Sequence, residues 1–313
     1  MLEFKLNNGL RMPAVGIGCW MGQAGNSEQV VDMVKMALRI GYRHIDTAFN
    51  YGNELSVGKA IRDSGVQRNE IFLTTKLSSE DHGRVAEALE RSLENLGVEY
   101  VDLYLMHWPQ AFSEKGTTLS PEESPTLVET WKMMEKLLDS GKVKSIGVSN
   151  FSIKTLSTLL AHAQIIPATN QVEMHPCLPQ HSLLEFCKKH DILLTAYSPV
   201  GKHKFASDPD ISAIAERMGV SVAQALLSWG VQRGTAVIPK TVQEERLKEN
   251  IQLLSLSTSD MEILNNLYRK PGMHRSICGF HSPELGGSCF GWTYDMLGWD
   301  MNIGGIMCSA ESF

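Results

Sequence analysis

Short apolar runs rich in β-branched residues alternate along this chain with amphipathic stretches, and that rhythm limits the fold more than any other feature. The runs fall at 15–18, 44–47, 71–76, 101–107, 145–149, 168–172, 192–198 and 236–239. Between them lie helical patterns. In 28–40 the residues Val30, Val31, Val34, Ala37 and Leu38 form one stripe, and in 85–96 Val85, Leu89, Leu93 and Leu96 repeat it. The segments 127–138 and 183–189 read the same way. Strands that alternate with helices pair in parallel through right-handed crossovers. Eight such units point to a closed (β/α)8 barrel rather than an open doubly wound sheet.

Length agrees with that choice. A barrel of this kind needs about 250 residues, and the chain has 313, so one domain over 1–313 is expected. Hydrophobic residues make up 43% and charged residues 20%, which excludes disorder of the whole chain. The surplus has identifiable places. Asn8-Gly9 between two extended runs predicts an N-terminal hairpin on the barrel floor. The polar stretch 109–125 is an insertion after the fourth strand, and 271–313 is a Gly- and aromatic-rich tail expected to drape over the barrel mouth as a loop.

Charge and composition narrow the partners. The net charge of −6 argues against nucleic acid. No apolar run approaches the roughly 18 residues of a membrane helix, and no secretory leader is visible at the N-terminus. Cys19, Cys177, Cys187, Cys278, Cys289 and Cys308 are scattered without a Cys-x-x-Cys, as reduced thiols of a cytoplasmic protein would be. A monomer is the expected state.

Polar residues interrupt the buried runs at three ends. Asp46, Lys76 and His107 lie 30 and 31 residues apart, one strand–helix unit each. The C-terminal ends of parallel strands converge on one barrel face. An acid, an amine and an imidazole are therefore expected at one register, with Tyr51 on the loop just beyond Asp46. A phenol has a pKa of about 10, and an ammonium nearby pulls it down. Asp46 would aim Lys76, Tyr51 would pass a proton, and His107 would orient the reacting oxygen. A metal site is the rival use of such residues: His44 with Asp46, and Glu173 with His175, are H-x-D and E-x-H pairs.

Two further patterns concern a nucleotide. Gly16-Ile-Gly18 followed by Gly22 narrowly misses the G-x-G-x-x-G spacing and lacks the acid expected after a second strand. The loop after the eighth strand is the better anion site. There Lys240 and Arg246 flank a helix start with Thr241 as its N-cap, although a solvated helix face with Arg246 paired to Glu244 or Glu245 would look the same. At other strand ends Tyr197 offers a stacking face, while Ser149, Asn150 and Gln171 could bond an amide. Together they describe a nicotinamide site.

Five segments resemble motifs of the aldo-keto reductase superfamily, in order and over nearly the whole chain. They are Gly41-Tyr-Arg-His-Ile-Asp46-Thr-Ala-Phe-Asn-Tyr51-Gly-Asn-Glu54, Tyr100-Val-Asp-Leu-Tyr-Leu-Met-His107-Trp-Pro, Gly147-Val-Ser-Asn-Phe151, Ile238-Pro-Lys-Thr, and Arg246 with Glu249-Asn250. The likeness is to aldose and xylose reductases, with glycerol dehydrogenase and erythrose reductase types in range. It implies a catalytic tetrad of Asp46, Tyr51, Lys76 and His107, and NADPH-dependent reduction of small aldehydes and ketones, reversible as NADP+-dependent polyol oxidation without a metal. It further implies that Ser149, Asn150 and Gln171 hold the carboxamide. Tyr197, Ser198 and Val200 would line the cofactor, Lys240, Thr241 and Arg246 the 2′-phosphate, and Glu249 and Asn250 the adenine. Trp20, Phe49, Asn50, Trp108 and Trp292 are the implied pocket lining for a small carbonyl or polyol substrate. The alternatives carried forward are a regulatory NADPH-binding barrel that acts through a protein partner and a metal-dependent barrel hydrolase.

Overall fold

A computed structural model describes residues 2–308, apart from the side chain of His203. Eight parallel strands form the barrel in chain order: β3 (Ile17–Gly18), β4 (His44–Asp46), β5 (Phe72–Leu77), β6 (Leu103–Met106), β7 (Ile146–Ser149), β8 (Thr169–Glu173), β9 (Leu193–Tyr197) and β10 (Ala236–Val237). A parallel bridge between Val15 and Val237 closes the sheet, backed by Gly16 N–H to Val237 O and Gly18 N–H to Pro239 O. The floor hairpin, β1 (Glu3–Lys5) with β2 (Arg11–Pro13), forms as the Asn8-Gly9 turn predicts. Beneath the barrel Leu6 and Met12 pack with Phe72, Leu103, Leu105, Ala168 and Ala236.

The closure explains the glycine near miss. A Cβ on Gly18 would stand 2.8 Å from Ile238 O, and one on Gly16 would stand 2.6 Å from the His44 ring. These glycines let strands and floor approach, so steric need at the barrel seam produces the Gly-x-Gly pattern.

Outside the sheet run α1 (Glu28–Ile40), α2 (Glu54–Ser64), α3 (Val85–Leu96), α4 (Leu127–Leu137), α5 (Ile153–Leu160), α6 (His181–Lys189), α7 (Pro209–Met218), α8 (Val222–Gln232), α9 (Glu244–Asn250) and α10 (Thr258–Asn266). The longer ones bury an apolar stripe, while α9 and α10 bury little beyond Leu247 and Leu264. In α1 the expected Val30, Val31, Val34, Ala37 and Leu38 are all buried, with Ser27 capping the start and Gly41, at φ 117°, ending it. None of these helices is long and apolar enough to cross a membrane.

The tail departs from the loop expected of it. Its described part holds two small hairpins, β11 (Ser288–Cys289) with β12 (Trp292–Thr293) and β13 (Met301–Asn302) with β14 (Ile306–Met307), and the short helix α11 (Tyr294–Leu297). Residues 309–313 lie outside the described residues. The insertion after β6 holds the first hairpin. Gln110 donates to Cys289 O, the Thr118 hydroxyl to Phe290 O, and the Trp292 indole N–H to Leu119 O.

Candidate active site

Strand tilt sets how the ionisable residues meet. Asp46 is opposite Thr74, not Lys76, and Lys76 is opposite Leu105, not His107. The expectation of one register is therefore corrected: each group sits two residues further along its strand than its neighbour's partner. Such a stagger is what a tilted barrel requires. The long lysine side chain makes up the difference.

Lys76 is the hub. Its Nζ donates to Asp46 Oδ1 at 2.6 Å and to the Thr47 carbonyl at 2.8 Å, and it stands 3.4 Å from the Tyr51 hydroxyl. Lys76 and Asp46 are both buried. The other Asp46 oxygen accepts from Gln171 Nε2 at 2.6 Å. Two residues not singled out in the sequence, Thr47 and Asn53, hold the Tyr51 loop. The Thr47 hydroxyl donates to Asn53 Oδ1, and Asn53 Nδ2 donates to Cys19 O. Only the Asp46–Tyr51 spacing hinted at them.

The electrostatics differ from the simple expectation in one respect. Burial works against the Lys76 ammonium, but Asp46 and Tyr51 outweigh it and raise its pKa above the ordinary value. For Tyr51, burial dominates and raises its pKa; Lys76 pulls it down and Asp46 pushes it up. The ammonium thus limits a rise rather than producing a net fall. His107 is held well below its usual pKa, first by burial and then by Lys76, so its imidazole is neutral near pH 7. Its ring meets Tyr51 edge-on, with centroids 5.7 Å apart. A neutral imidazole N–H and a phenol O–H can both donate to one carbonyl oxygen.

The nicotinamide candidates also converge. The Ser149 hydroxyl donates to Gln171 O, Asn150 Nδ2 donates to His107 O and Ser149 Oγ, and the Tyr197 hydroxyl donates to Asn150 Oδ1 at 2.8 Å. The Asn150 side-chain amide ties the ends of β6, β7 and β9 together, at a backbone φ of 63°. Ser198, with φ 52°, and the half-buried Val200 follow at the end of β9.

Around the loop after β10 one expectation fails and another sharpens. Gln243, not Thr241, is the N-cap of α9, and its side chain does not cap; the Thr241 hydroxyl instead accepts from Gln243 N–H. Glu244 pairs with Arg39 and Lys248, and Glu245 with Lys248. Arg246 and Lys240 are exposed and form no ion pair among the described residues. The paired-helix-face reading is removed, and two unneutralised cations remain for an anion. Glu249 is half-buried. Asn250 is buried, with an Oδ1 that has no hydrogen-bond partner among the described residues. An unpaired buried amide oxygen costs free energy unless a donor reaches it, and an adenine amino group is such a donor. These residues fit a phosphorylated adenine nucleotide.

Two of the residues expected to line the pocket make other contacts. Phe49 turns its ring to the Arg91 guanidinium of α3, 5.1 Å away, because the helical turn over Phe49–Tyr51 sends alternate side chains apart. Trp292 is 3% exposed and serves to anchor the tail. The rings around Trp108 are instead Phe280, Phe290 and Trp299, with centroids 5.1, 4.8 and 6.2 Å away. Trp20, 43% exposed, stands 5.1 Å from Tyr51, and Asn50, which precedes Tyr51 in the chain, is exposed.

The candidate metal pairs are engaged in other bonds. The His44 ring contacts Pro13 O at the floor, Asp46 is taken by Lys76 and Gln171, and Glu173 and His175 bond each other. Among the described residues no three His, Cys, Asp or Glu side chains form a group able to hold a metal ion.

Comparison with known proteins gives the same picture. Residues 14–269 match the Aldo/keto reductase family. The glycerol 2-dehydrogenase (NADP(+)) of Saccharomyces cerevisiae is 42% identical over 298 residues, 89% of this chain and 95% of that protein. The D-galacturonate reductase of Hypocrea jecorina is 44% identical over 283 residues, covering 84% and 89%. A crystal structure of an aldo-keto reductase complexed with NADPH superposes with a TM-score of 0.79 at 34% identity, covering 85% of this chain and 87% of that one.

Proposed function

The chain belongs to the aldo/keto reductase family, and from that premise we propose that it reduces small aldehydes and ketones with NADPH, using Tyr51 as the proton donor. The observation that carries the reading is the buried Lys76 ammonium, bonded to Asp46 and 3.4 Å from the Tyr51 hydroxyl, beside a neutral His107. NADPH supplies the hydride when bound. Tyr51 gives its proton to the carbonyl oxygen, and Lys76 stabilises the phenolate that remains. His107 donates its N–H to the same oxygen and fixes the approach of the carbonyl. Asp46 keeps Lys76 charged and aimed, and Gln171 holds Asp46. Run backwards, the phenolate takes the proton of an alcohol, so polyols are substrates of the reverse reaction.

Lys240, Thr241 and Arg246 are the residues we assign to the 2′-phosphate, Glu249 and Asn250 to the adenine, and Tyr197, Ser198, Val200, Ser149, Asn150 and Gln171 to the nicotinamide end. The substrate pocket is assigned to Trp20, Asn50 and Trp108 with the tail rings. Aromatic walls joined by the Asn50 amide and the catalytic polar groups suit small hydroxylated carbonyls, in keeping with relatives named for glycerol and galacturonate. Six free cysteines fit a reducing compartment such as the cytoplasm. The test is NADPH oxidation with glyceraldehyde by the native enzyme and by Tyr51→Phe. Loss of the proton donor should cut turnover by roughly 10²–10⁴-fold while NADPH binding, followed by quenching of protein fluorescence, persists. Equal turnover in the variant would remove Tyr51 from the mechanism. NADPH binding without turnover of any carbonyl by the native protein would favour the regulatory barrel.

A further inference from the structure

The tail and the Glu173–His175 pair are both unaccounted for by the chemistry above, and they meet. Glu173 ends β8, opposite Tyr197. Its carboxylate is buried and makes no ion pair with lysine or arginine among the described residues. The charge is instead satisfied by His175 Nε2 at 3.0 Å, the Ile277 backbone N–H at 2.8 Å and the Ser276 hydroxyl, with the Cys278 thiol alongside. Two of the three hydrogen-bond donors thus come from the first stretch of the tail. A lifted tail would leave a buried carboxylate with His175 alone, and an undersatisfied buried charge is costly.

The same stretch of tail leads straight to the carbonyl site. Phe280 lies two residues beyond Cys278 and meets Trp108 edge-on at 5.1 Å, and Trp108 adjoins His107 in the chain. The Ser276 N–H donates to Gly305 O, so the second hairpin is carried by the same anchor. On the cofactor side, by contrast, the Tyr197 hydroxyl is held by Asn150.

We propose that Glu173 is a positioning residue that locks the tail onto the barrel, fixes the aromatic roof over Trp108, and so sets the enzyme's affinity for its carbonyl substrate. The inference rests on the reductase reading for its kinetic consequence, though not for its structural one. Glu173→Ala should raise KM for glyceraldehyde about tenfold, the loss expected from one charged hydrogen bond. Turnover number and the NADPH dissociation constant should both stay within about a factor of three. Glu173→Gln keeps an oxygen for Ile277 and an amide for Ser276 at the same volume and should return KM close to the native value. Hydrogen exchange gives a readout independent of turnover: the amides of 276–281 should exchange faster in Glu173→Ala and at native rates in Glu173→Gln.

Native exchange of those amides in Glu173→Ala would overturn the proposal, as would a loss of NADPH affinity equal to the rise in KM. If the alanine variant does not fold, Ser276→Ala decides, since it removes one tail donor and leaves Ile277 and His175 on the charge. Faster tail exchange with a smaller rise in KM supports the anchor, and no change in either refutes it. A native protein inactive with every carbonyl would defeat the reductase reading, while the exchange comparison would still test the anchor.

Discussion

Replacing Lys76 by methionine keeps the unbranched apolar stem, one atom shorter, and removes its charge, at a site where the Asp46 oxygen lies 2.6 Å from Nζ and both groups are buried. Removing one partner of a buried pair costs about 3–5 kcal/mol, because the other charge is stranded. Gln171 Nε2 still donates to Asp46, so the lower end, about 3 kcal/mol, is expected. The loss would appear as a lower urea midpoint at unchanged m-value. Adding Asp46→Asn removes the stranded charge but keeps an oxygen for Gln171. The double variant should therefore recover much of the loss, with a coupling of about 2 kcal/mol.

The same substitution acts on Tyr51. Burial and Asp46 raise the phenol pKa, and Lys76 is the group that opposes them. Without the ammonium, alcohol oxidation, which needs the phenolate, should reach its plateau at higher pH than in the native enzyme. Turnover should fall by about 10²-fold or more in both directions. Strictly additive single and double variants, or an unmoved oxidation profile, would show that Lys76 does not tune Tyr51 through its charge.

Arg246→Ala should raise the KM for NADPH by about tenfold or more and leave that for NADH nearly unchanged, since an exposed, unpaired guanidinium can grip only the phosphate that NADH lacks; equal effects on both would place the 2′-phosphate elsewhere. His82 is buried with neither ring nitrogen hydrogen-bonded among the described residues, and burial, opposed by Asp81, lowers its pKa to about 3. Between an unfolded value of about 6.5 and that folded value, only the unfolded chain takes up the proton. Stability should then drop by about 1.4 kcal/mol per pH unit on acidification below about pH 6.5 from this group, about 2 kcal/mol between pH 7 and 5, and urea-unfolding free energies at the two pH values should differ by that much less in His82→Leu. Below about pH 4.5 Glu173 adds to the loss. Burial disfavours its charge, but His175, Ile277 and Ser276 outweigh that and hold its pKa at about 2.

Much of the barrel and its catalytic centre was legible because both depend on local repeats. A strand buried on both faces must be apolar, so a charged residue at its end is conspicuous, and the strand–helix unit recurs at nearly constant length. That is why Asp46, Lys76 and His107 could be placed on one mouth from spacing alone. Stagger was not legible, because tilt is a property of the closed sheet and leaves no trace in any single strand. The Tyr51 pKa was misjudged for a related reason: the pull of Lys76 can be inferred from pattern, whereas burial depends on what the rest of the chain lays over the site.

The tail was illegible for a physical reason that bears on its role. Its strands are two residues long, too short to show period-two alternation, and they are held by partners far away in sequence. Cys289 is bonded by Gln110, 179 residues earlier, Trp292 by Leu119, 173 earlier, and Ser276 by Glu173, 103 earlier. Structure of this kind has no local propensity to announce it and exists only on the finished barrel. The segment we assign to the pocket roof is therefore the one least constrained by the barrel's own folding code. Its rings Phe280, Phe290 and Trp299 can change without disturbing strand alternation, while the Glu173 anchor keeps whatever roof is built in one place. Variation in those rings should thus move substrate preference with little effect on stability, and variation at Glu173 should loosen preference for every substrate together.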